Sequence, residues 1–277
     1  MNTLSRRQFL CSLVDSPILL LLPDESEEGI RSKVQKSGKL SLESLLRIKS
    51  LPPLKDSDFS LGYNLFEGIS DSLSGKASIN FNREKRVLDF GVDSFSFWNN
   101  VGLWFARLFS SKCNKMFELQ NVRFLTEFDE RLRWIRYGEN IPREGSSSLI
   151  PHYYEFKKDG ITLDGKRNIP FDGTVDNPLS LFFSLLNGNF RNNFKVVIGD
   201  KILGIKIDYT KLNELVILEA SSPAPIMNSF QKAYAILYNN IPISGYLQGI
   251  EKKGEETTYL RGELSRLNVR GQEISLG

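Results

Sequence analysis

The chain has 277 residues, 40% of them hydrophobic and 25% charged. That is an ordinary globular mixture, and it excludes whole-chain disorder, a collagen-like repeat and a disulfide scaffold. The net charge is only +3, from 36 basic and 33 acidic residues with no basic block, so the electrostatic footprint of a nucleic-acid binder is absent. One His and two Cys leave no material for a Cys/His zinc site or a His-rich metal centre. Only six Ala stand against 19 Phe, 9 Tyr and 3 Trp, a balance that favours pleated sheet over helix.

Residues 5–10 read Ser-Arg-Arg-Gln-Phe-Leu and resemble the twin-arginine export motif, with Arg6 and Arg7 as the address. An apolar run from Cys11 to Leu22 follows and ends at Pro23, the layout of a signal segment and too short to span a membrane. The expected segment is 1–23, and the expected compartment is the periplasm or cell envelope. Asp15 and Pro17 interrupt the run, so the same residues also fit a short amphipathic helix in a cytoplasmic protein. Both readings stand at this point. Residues 24–55 read as a linker with a short helix, in which Leu42, Leu45 and Leu46 share a face before Pro52-Pro53.

From Phe59 the pattern changes to period two. Leu61, Tyr63, Leu65 and Ile69 share one face, and Leu73, Ala77, Ile79 and Phe81 continue the alternation. A third strand is expected over Arg86–Phe97, where Leu88, Phe90 and Val92 alternate with Asp89, Gly91 and Asp93. The segment Gly102–Phe109 is solidly apolar and fits a short helix or a buried strand. Strands resume over Lys115–Phe128, Arg131–Tyr137 and Tyr153–Lys158, with a polar loop at Gly138–Ser148.

One internal helix is expected next. Asp176-Asn177-Pro178 supplies a cap residue and a first-turn proline, with Asp176 taken as the cap. Leu179, Phe182, Phe183 and Leu186 then fall on one face, and Asn187-Gly188 closes the helix. Six further strands are expected between Lys195 and Leu264, with hairpin turns at Gly199-Asp200 and Asn239-Asn240. The fold class is therefore mostly β. A curled antiparallel sheet or half-barrel over residues 56–270 should be plugged or lidded by one helix.

Three stretches resemble a bacterial envelope family, the domain of unknown function 3108. They are Leu61–Ile69 with Leu73–Ala77, then Asp176-Asn-Pro-Leu-Ser-Leu-Phe-Phe183, and Ala233–Tyr238 with Ile241-Pro-Ile243. In that motif Asp176, Pro178 and Ser180 open the helix. The resemblance implies an exported, β-rich, barrel-like domain. It transfers no catalytic or cofactor residue.

Chemistry-bearing residues are sparse. His152 has no nucleophile context beyond the loop serines Ser146–Ser148 and a bare compositional pairing with Cys113, and it reads as a strand or loop histidine. Asp89 and Asp93 would stand about 13 Å apart along one strand, too far for a glycosidase pair. Asp129-Glu130 reads as a hairpin turn. No Gly-rich phosphate loop occurs. No catalytic residue, metal or cofactor is expected, and the chain is read as a non-enzymatic domain. The densest apolar cluster includes Trp98, Trp104, Phe105 and Phe109. With Phe182 and Phe183 it forms the candidate lining for a lipid or other apolar ligand, against the alternative of plain core filling. A different class of function is a structural or assembly protein that docks an envelope partner through sheet edges or the aromatic loop.

Overall fold

Alternating apolar residues and short polar turns give a succession of hairpins. The computed structural model describes residues 42–52, 54–67, 73–94, 121–142, 149–157, 160–199, 201–226, 230–249 and 259–275. Helix α1 (Leu42–Lys49) and a 3₁₀ turn at Leu54–Asp56 precede the first meander. That meander comprises β1 (Phe59–Glu67), β2 (Leu73–Asn82), β3 (Val87–Ser94), β4 (Asn121–Phe128), β5 (Trp134–Pro142), β6 (Leu149–Lys157), β7 (Gly160–Leu163) and β8 (Arg167–Ile169). Helix α2 (Pro178–Leu186) follows. The second meander runs through β9 (Asn193–Ile198), β10 (Lys201–Leu212), β11 (Leu215–Ile226), β12 (Phe230–Tyr238), β13 (Ile241–Gly249), β14 (Tyr259–Val269) and β15 (Gln272–Ser275).

All these strands belong to one sheet of order 8-7-6-5-4-3-2-1-14-13-12-11-10-9, with β15 beside β14. The strand–strand ladders are antiparallel. The two meanders join where β1 pairs with β14, Phe59 opposite Val269 and Glu67 opposite Leu260. Strands β8 and β9 end the path and do not pair with each other, so the sheet is open along that seam. The fold is the expected one, mostly β and antiparallel.

One core unites Leu61 and Leu65 of β1, Phe81 of β2, Phe124 of β4, Tyr154 of β6 and Ile161 of β7 with Ile217 of β11, Ile236 of β12 and Leu267 of β14. A sheet whose distant strands share a core must wrap around it. Strands β9 to β12 bury both faces. Val197, Ile217 and Ile236 face the main core, while Val196, Ile205, Val216 and Leu237 form a second core on the opposite face. This explains the unbroken apolar runs Val196-Val197-Ile198 and Leu215–Leu218, which a strand wet on one side would not carry.

Hairpin chemistry follows the turn rules. Asn239 and Asn240 both adopt positive φ (50° and 62°), as a two-residue turn between twisted strands requires. The carboxylate of Asp129 accepts from the amides of Arg131 and Arg133 and closes the β4–β5 hairpin.

Four local expectations need correction or extension. Strand β3 ends at Ser94 as described, and Phe95–Phe97 lie outside the described residues. Strands β7, β8 and β15 were not anticipated, because three or four residues hold too few alternations to register as a period. Of the leucines expected on one face of α1, Leu46 is 57% exposed, while Ile48, which was not among them, is fully buried in the main core. The helix is tied to the sheet by Lys49 to Glu214 at 2.6 Å and by Asn239 Nδ2 donating to the Ile48 carbonyl. Finally, the cap of α2 is Asn177 and not Asp176. Among the described residues no helix is long and apolar enough to cross a membrane.

Candidate functional site: a cleft at the helix seam

The segment between β8 and β9 fastens the open seam before it becomes α2. Trp134 Nε1 donates to the Val175 carbonyl at 2.7 Å, which anchors the segment to β5. Asp176 then forms a single parallel bridge to the edge of β9: its N–H donates to the Lys195 carbonyl, and its own carbonyl accepts from Val197 N–H, both at 2.8 Å.

The N-cap is Asn177, in an extended conformation (φ −100°, ψ 168°), with Pro178 at the first helical position. Asn177 Oδ1 accepts from the amides of Leu179 and Ser180 at 3.0 and 2.9 Å, and Ser180 Oγ accepts from the Asn177 amide at 2.9 Å. That reciprocal capping box satisfies donors which the helix itself cannot. Asp176 is displaced from the cap because the helix starts at Pro178, and a first-position proline makes the residue before it the cap.

Asp176 instead uses its carboxylate sideways. Ser180 Oγ lies 3.2 Å from Oδ1, and Arg191 Nη2 lies 3.4 Å from Oδ2. Burial pushes the Asp176 carboxyl above its ordinary range, while the Ser180 hydrogen bond and the Arg191 charge pull it back. Arg191 also lies over the Phe194 ring, 4.6 Å from its centroid.

Beside this network opens a cleft of about 780 Å³. Its charged lining is Asp172, Asp176, Arg191, Lys195 and Lys206, and Phe194, Ile205, Ser221 and the bare backbone of Gly204 complete the wall. The lining surface is more apolar than polar. A Cβ placed on Gly204 would meet nothing within 4 Å, so the floor there is open. Lys195 Nζ donates to the Asp172 carbonyl at 2.8 Å, and Lys206 pairs with Asp208 at 2.9 Å.

A second hollow, of about 880 Å³, lies over β3 to β6 and is lined by Asp89, Arg123, Glu127, Arg136 and Glu155 among others. With Glu139 included, its lining holds four carboxylates against the two arginines. Arg136 reaches Glu127 at 3.5 Å and Glu155 at 3.3 Å, and Arg123 reaches Asp93 at 3.6 Å.

The remaining candidate residues are distributed as follows. Phe183 is buried between the rings of Phe81 and Phe128, at centroid distances of 4.8 and 4.9 Å, so this face of α2 fills the core. Phe182 is half-buried against the same core. Leu181, absent from the expected stripe, is buried on the other side of the helix in the second core, so α2 is apolar on both sides. Trp98, Trp104, Phe105 and Phe109 lie outside the described residues, as do Arg6, Arg7 and Cys113.

Two features escaped the sequence reading. The cleft cations Arg191, Lys195 and Lys206 come from separate stretches and carry no motif. The other is Glu139, only 1% exposed, with Tyr137 and Tyr154 buried near it. The β5–β6 register sets Glu139 opposite His152. Its signal was legible, since Tyr137 and Glu139 alternate on one face of a strand whose other face carries Arg136.

No family model matches the chain, and no curated protein matches it. Among solved structures, the chain is similar to a β-barrel-like protein of domain of unknown function 1849 from Brucella abortus. The identity is 12% and the TM-score 0.38, over 77% of this chain and 98% of that one. The fold class of this protein rests on its own strand pairing.

Proposed function

We propose that this protein is an exported, non-enzymatic domain of the cell envelope that binds an apolar or amphipathic small molecule, such as a lipid, in the cleft beside α2. The observation that carries this reading is the cleft itself. Its volume of about 780 Å³ lies within the ~300–1,000 Å³ range of small-molecule sites. Its mainly apolar wall with a few placed polar groups is the composition such sites use. Export is supported by Arg6-Arg7 ahead of an apolar run, and the envelope compartment by the resemblance of the Asp176–Phe183 motif to the domain of unknown function 3108.

Docking of a protein partner along a sheet edge has less support. Strand β8 is three residues long and begins with Arg167, and the β9 edge is partly occupied by Asp176. The test is native purification followed by organic extraction and mass spectrometry. An amphiphile recovered at near-equimolar amount is the expected result. Protein that yields none, and that fails to take up an added lipophilic fluorophore, would not be a carrier of this kind.

A further inference from the structure

The hollow over β3 to β6 lies on the outer face of the first meander, and its shape follows from one cross-strand row. Asp89 of β3 stands opposite Leu125 of β4, Leu125 opposite Gly138 of β5, and Gly138 opposite Tyr153 of β6. Residues in such a row share a face of the sheet. Gly138 has no side chain, so Leu125 and Tyr153 flank a gap two strand spacings wide, about 9–10 Å. Tyr153 is 48% exposed and Leu125 is half-buried, which makes both of them accessible apolar walls.

The adjacent row is polar and planar. Glu127, Arg136 and Glu155 stand in register on β4, β5 and β6. The Arg136 guanidinium spans both carboxylates, at 3.5 Å to Glu127 and 3.3 Å to Glu155. On the other side of the gap Arg123 stands opposite Gly91, and its side chain lies across that bare backbone. Hydrogen-bonding groups therefore border the apolar gap on two sides.

Net charge is not what this surface offers. Arg123 pairs with Asp93 at 3.6 Å, Arg136 with Glu127 and Glu155, and Lys157 with Glu155 at 3.5 Å. Glu139 alternates with Gly138 and is 1% exposed, so its side chain belongs to the buried face. Burial pushes the Asp89 carboxyl above its ordinary range, against the pull of Arg123, which disfavours its charged form. An ion of either sign would have to compete with the existing pairs. A hydroxyl would not, because it both donates and accepts and fits between a guanidinium and a carboxylate.

We infer that this hollow is a saccharide-binding surface, taking a pyranose ring between Leu125 and Tyr153 with its hydroxyls on Arg136, Glu127 and Glu155. A pyranose with equatorial hydroxyls has apolar C–H faces and a polar rim, the complement of two apolar walls beside a charged row. Tyr153 supplies a rigid ring at low entropic cost, and hydrogen bonds to ionised groups are the stronger kind. The volume of about 880 Å³ falls within the ~300–1,000 Å³ range of small-molecule sites. The hollow shares no lining residue with the cleft beside α2, so the inference is independent of the amphiphile reading.

Full-length protein is titrated calorimetrically with cellohexaose and chitohexaose, with sorbitol as a polyol lacking a ring, and with spermidine as a cation. At least one hexasaccharide should bind, sorbitol should not, and raising the salt should leave the affinity unchanged. Tyr153→Ala should weaken binding at least about tenfold, while Tyr153→Phe should stay within about threefold of the parent. Arg136→Gln should weaken it about tenfold or more, the scale of one charge-assisted contact. Circular dichroism and the melting temperature of each variant report whether the fold persists.

Binding of neither hexasaccharide overturns the inference. So does binding that Tyr153→Ala and Arg136→Gln both leave unchanged in folded protein. Sorbitol binding as tightly as the hexasaccharides overturns the ring contact on which the inference stands. Tighter, salt-sensitive binding of spermidine would make the hollow a cation site and overturn it as well.

Discussion

Thr126 on β4 donates its hydroxyl to Oδ1 of Asn177 at 3.0 Å, so the acceptor that caps α2 also holds the helix to a strand 51 residues earlier in the chain. Both residues are fully buried. One side-chain oxygen thus serves three donors: a strand hydroxyl and two helix amides.

Replacing Asn177 by Ala should cost at least the ~0.5–2 kcal/mol of a lost cap. It also leaves the Thr126 hydroxyl buried without its acceptor, so the loss should lie at the upper end of that range. Thr126→Val should cost about 0.5–1.5 kcal/mol, a single net hydrogen bond. Because the two share an atom, the double variant should lose less than the sum of the singles. Urea denaturation of the four proteins checks this. Strict additivity, or an Asn177→Ala cost no larger than that of Asp176→Ala, would contradict the capping geometry.

Asp176 makes the opposite kind of prediction. Burial raises its carboxyl, so the folded protein holds that proton more tightly than the unfolded chain does. The protonated form's contribution to stability is fully present below the ordinary aspartate range and is lost as pH rises through the folded value. Asp176→Asn, which imitates the neutral form, should therefore be more stable than the parent at neutral pH. The gap should close as pH falls below about 4, where the parent carboxyl is itself neutral. Melting temperatures measured from pH 3 to 8 test the sign, and a gap that widens on acidification refutes it.

Phe183 should behave as core and Phe182 as a partner of it. Phe183→Ala empties the space between Phe81 and Phe128 and should cost about 3–5 kcal/mol. Phe182→Ala, at a half-buried position, should cost clearly less. Equal effects in guanidinium unfolding would mean that the helix is rotated from the orientation described.

The Tyr137 hydroxyl is fully buried with no hydrogen-bond partner among the described residues. Burial, the neighbouring Glu139 charge and Tyr154 push it well above the ordinary phenol range. Tyr137→Phe should therefore be neutral or stabilising by up to about 1 kcal/mol, since it deletes a buried polar atom and keeps the ring. In the parent, alkaline difference absorbance should show Tyr137 ionising only as the protein unfolds. Destabilisation of more than about 1 kcal/mol by Tyr137→Phe would reveal a partner for the hydroxyl.

Much of this fold was legible because its logic is local. Period-two runs marked β1, β2 and β3, the Asn-Asn turn marked the β12–β13 hairpin, and Pro178 marked the start of α2. The cap was misassigned to Asp176, although a proline fixed at the first helical position points to its immediate predecessor, Asn177. What local pattern does not encode is long-range pairing. Nothing in Phe59–Glu67 names Tyr259–Val269 as its neighbour, because hydrogen-bonding edges look alike in sequence. The cleft shares that limit. Lys195 and Lys206 become neighbours only through the β9–β10 register, and Arg191 reaches the rim of the cleft only because α2 returns the chain to the seam.

The β1–β14 junction has a consequence for biosynthesis. Strand β1 emerges from the ribosome early and gains β2 at once, but its other edge waits for β14, about 200 residues later. At ~5–20 residues per second that interval is on the order of 10–40 s. Throughout it, Leu61, Tyr63 and Leu65 border an unpaired strand edge, the geometry that recruits stray strands from other nascent chains. The last part of the sheet to be made is the part that closes the first. Ribosome-bound chains stalled before Tyr259 should accordingly exchange the β1 amides that face β14 within seconds, and release of the finished chain should protect them.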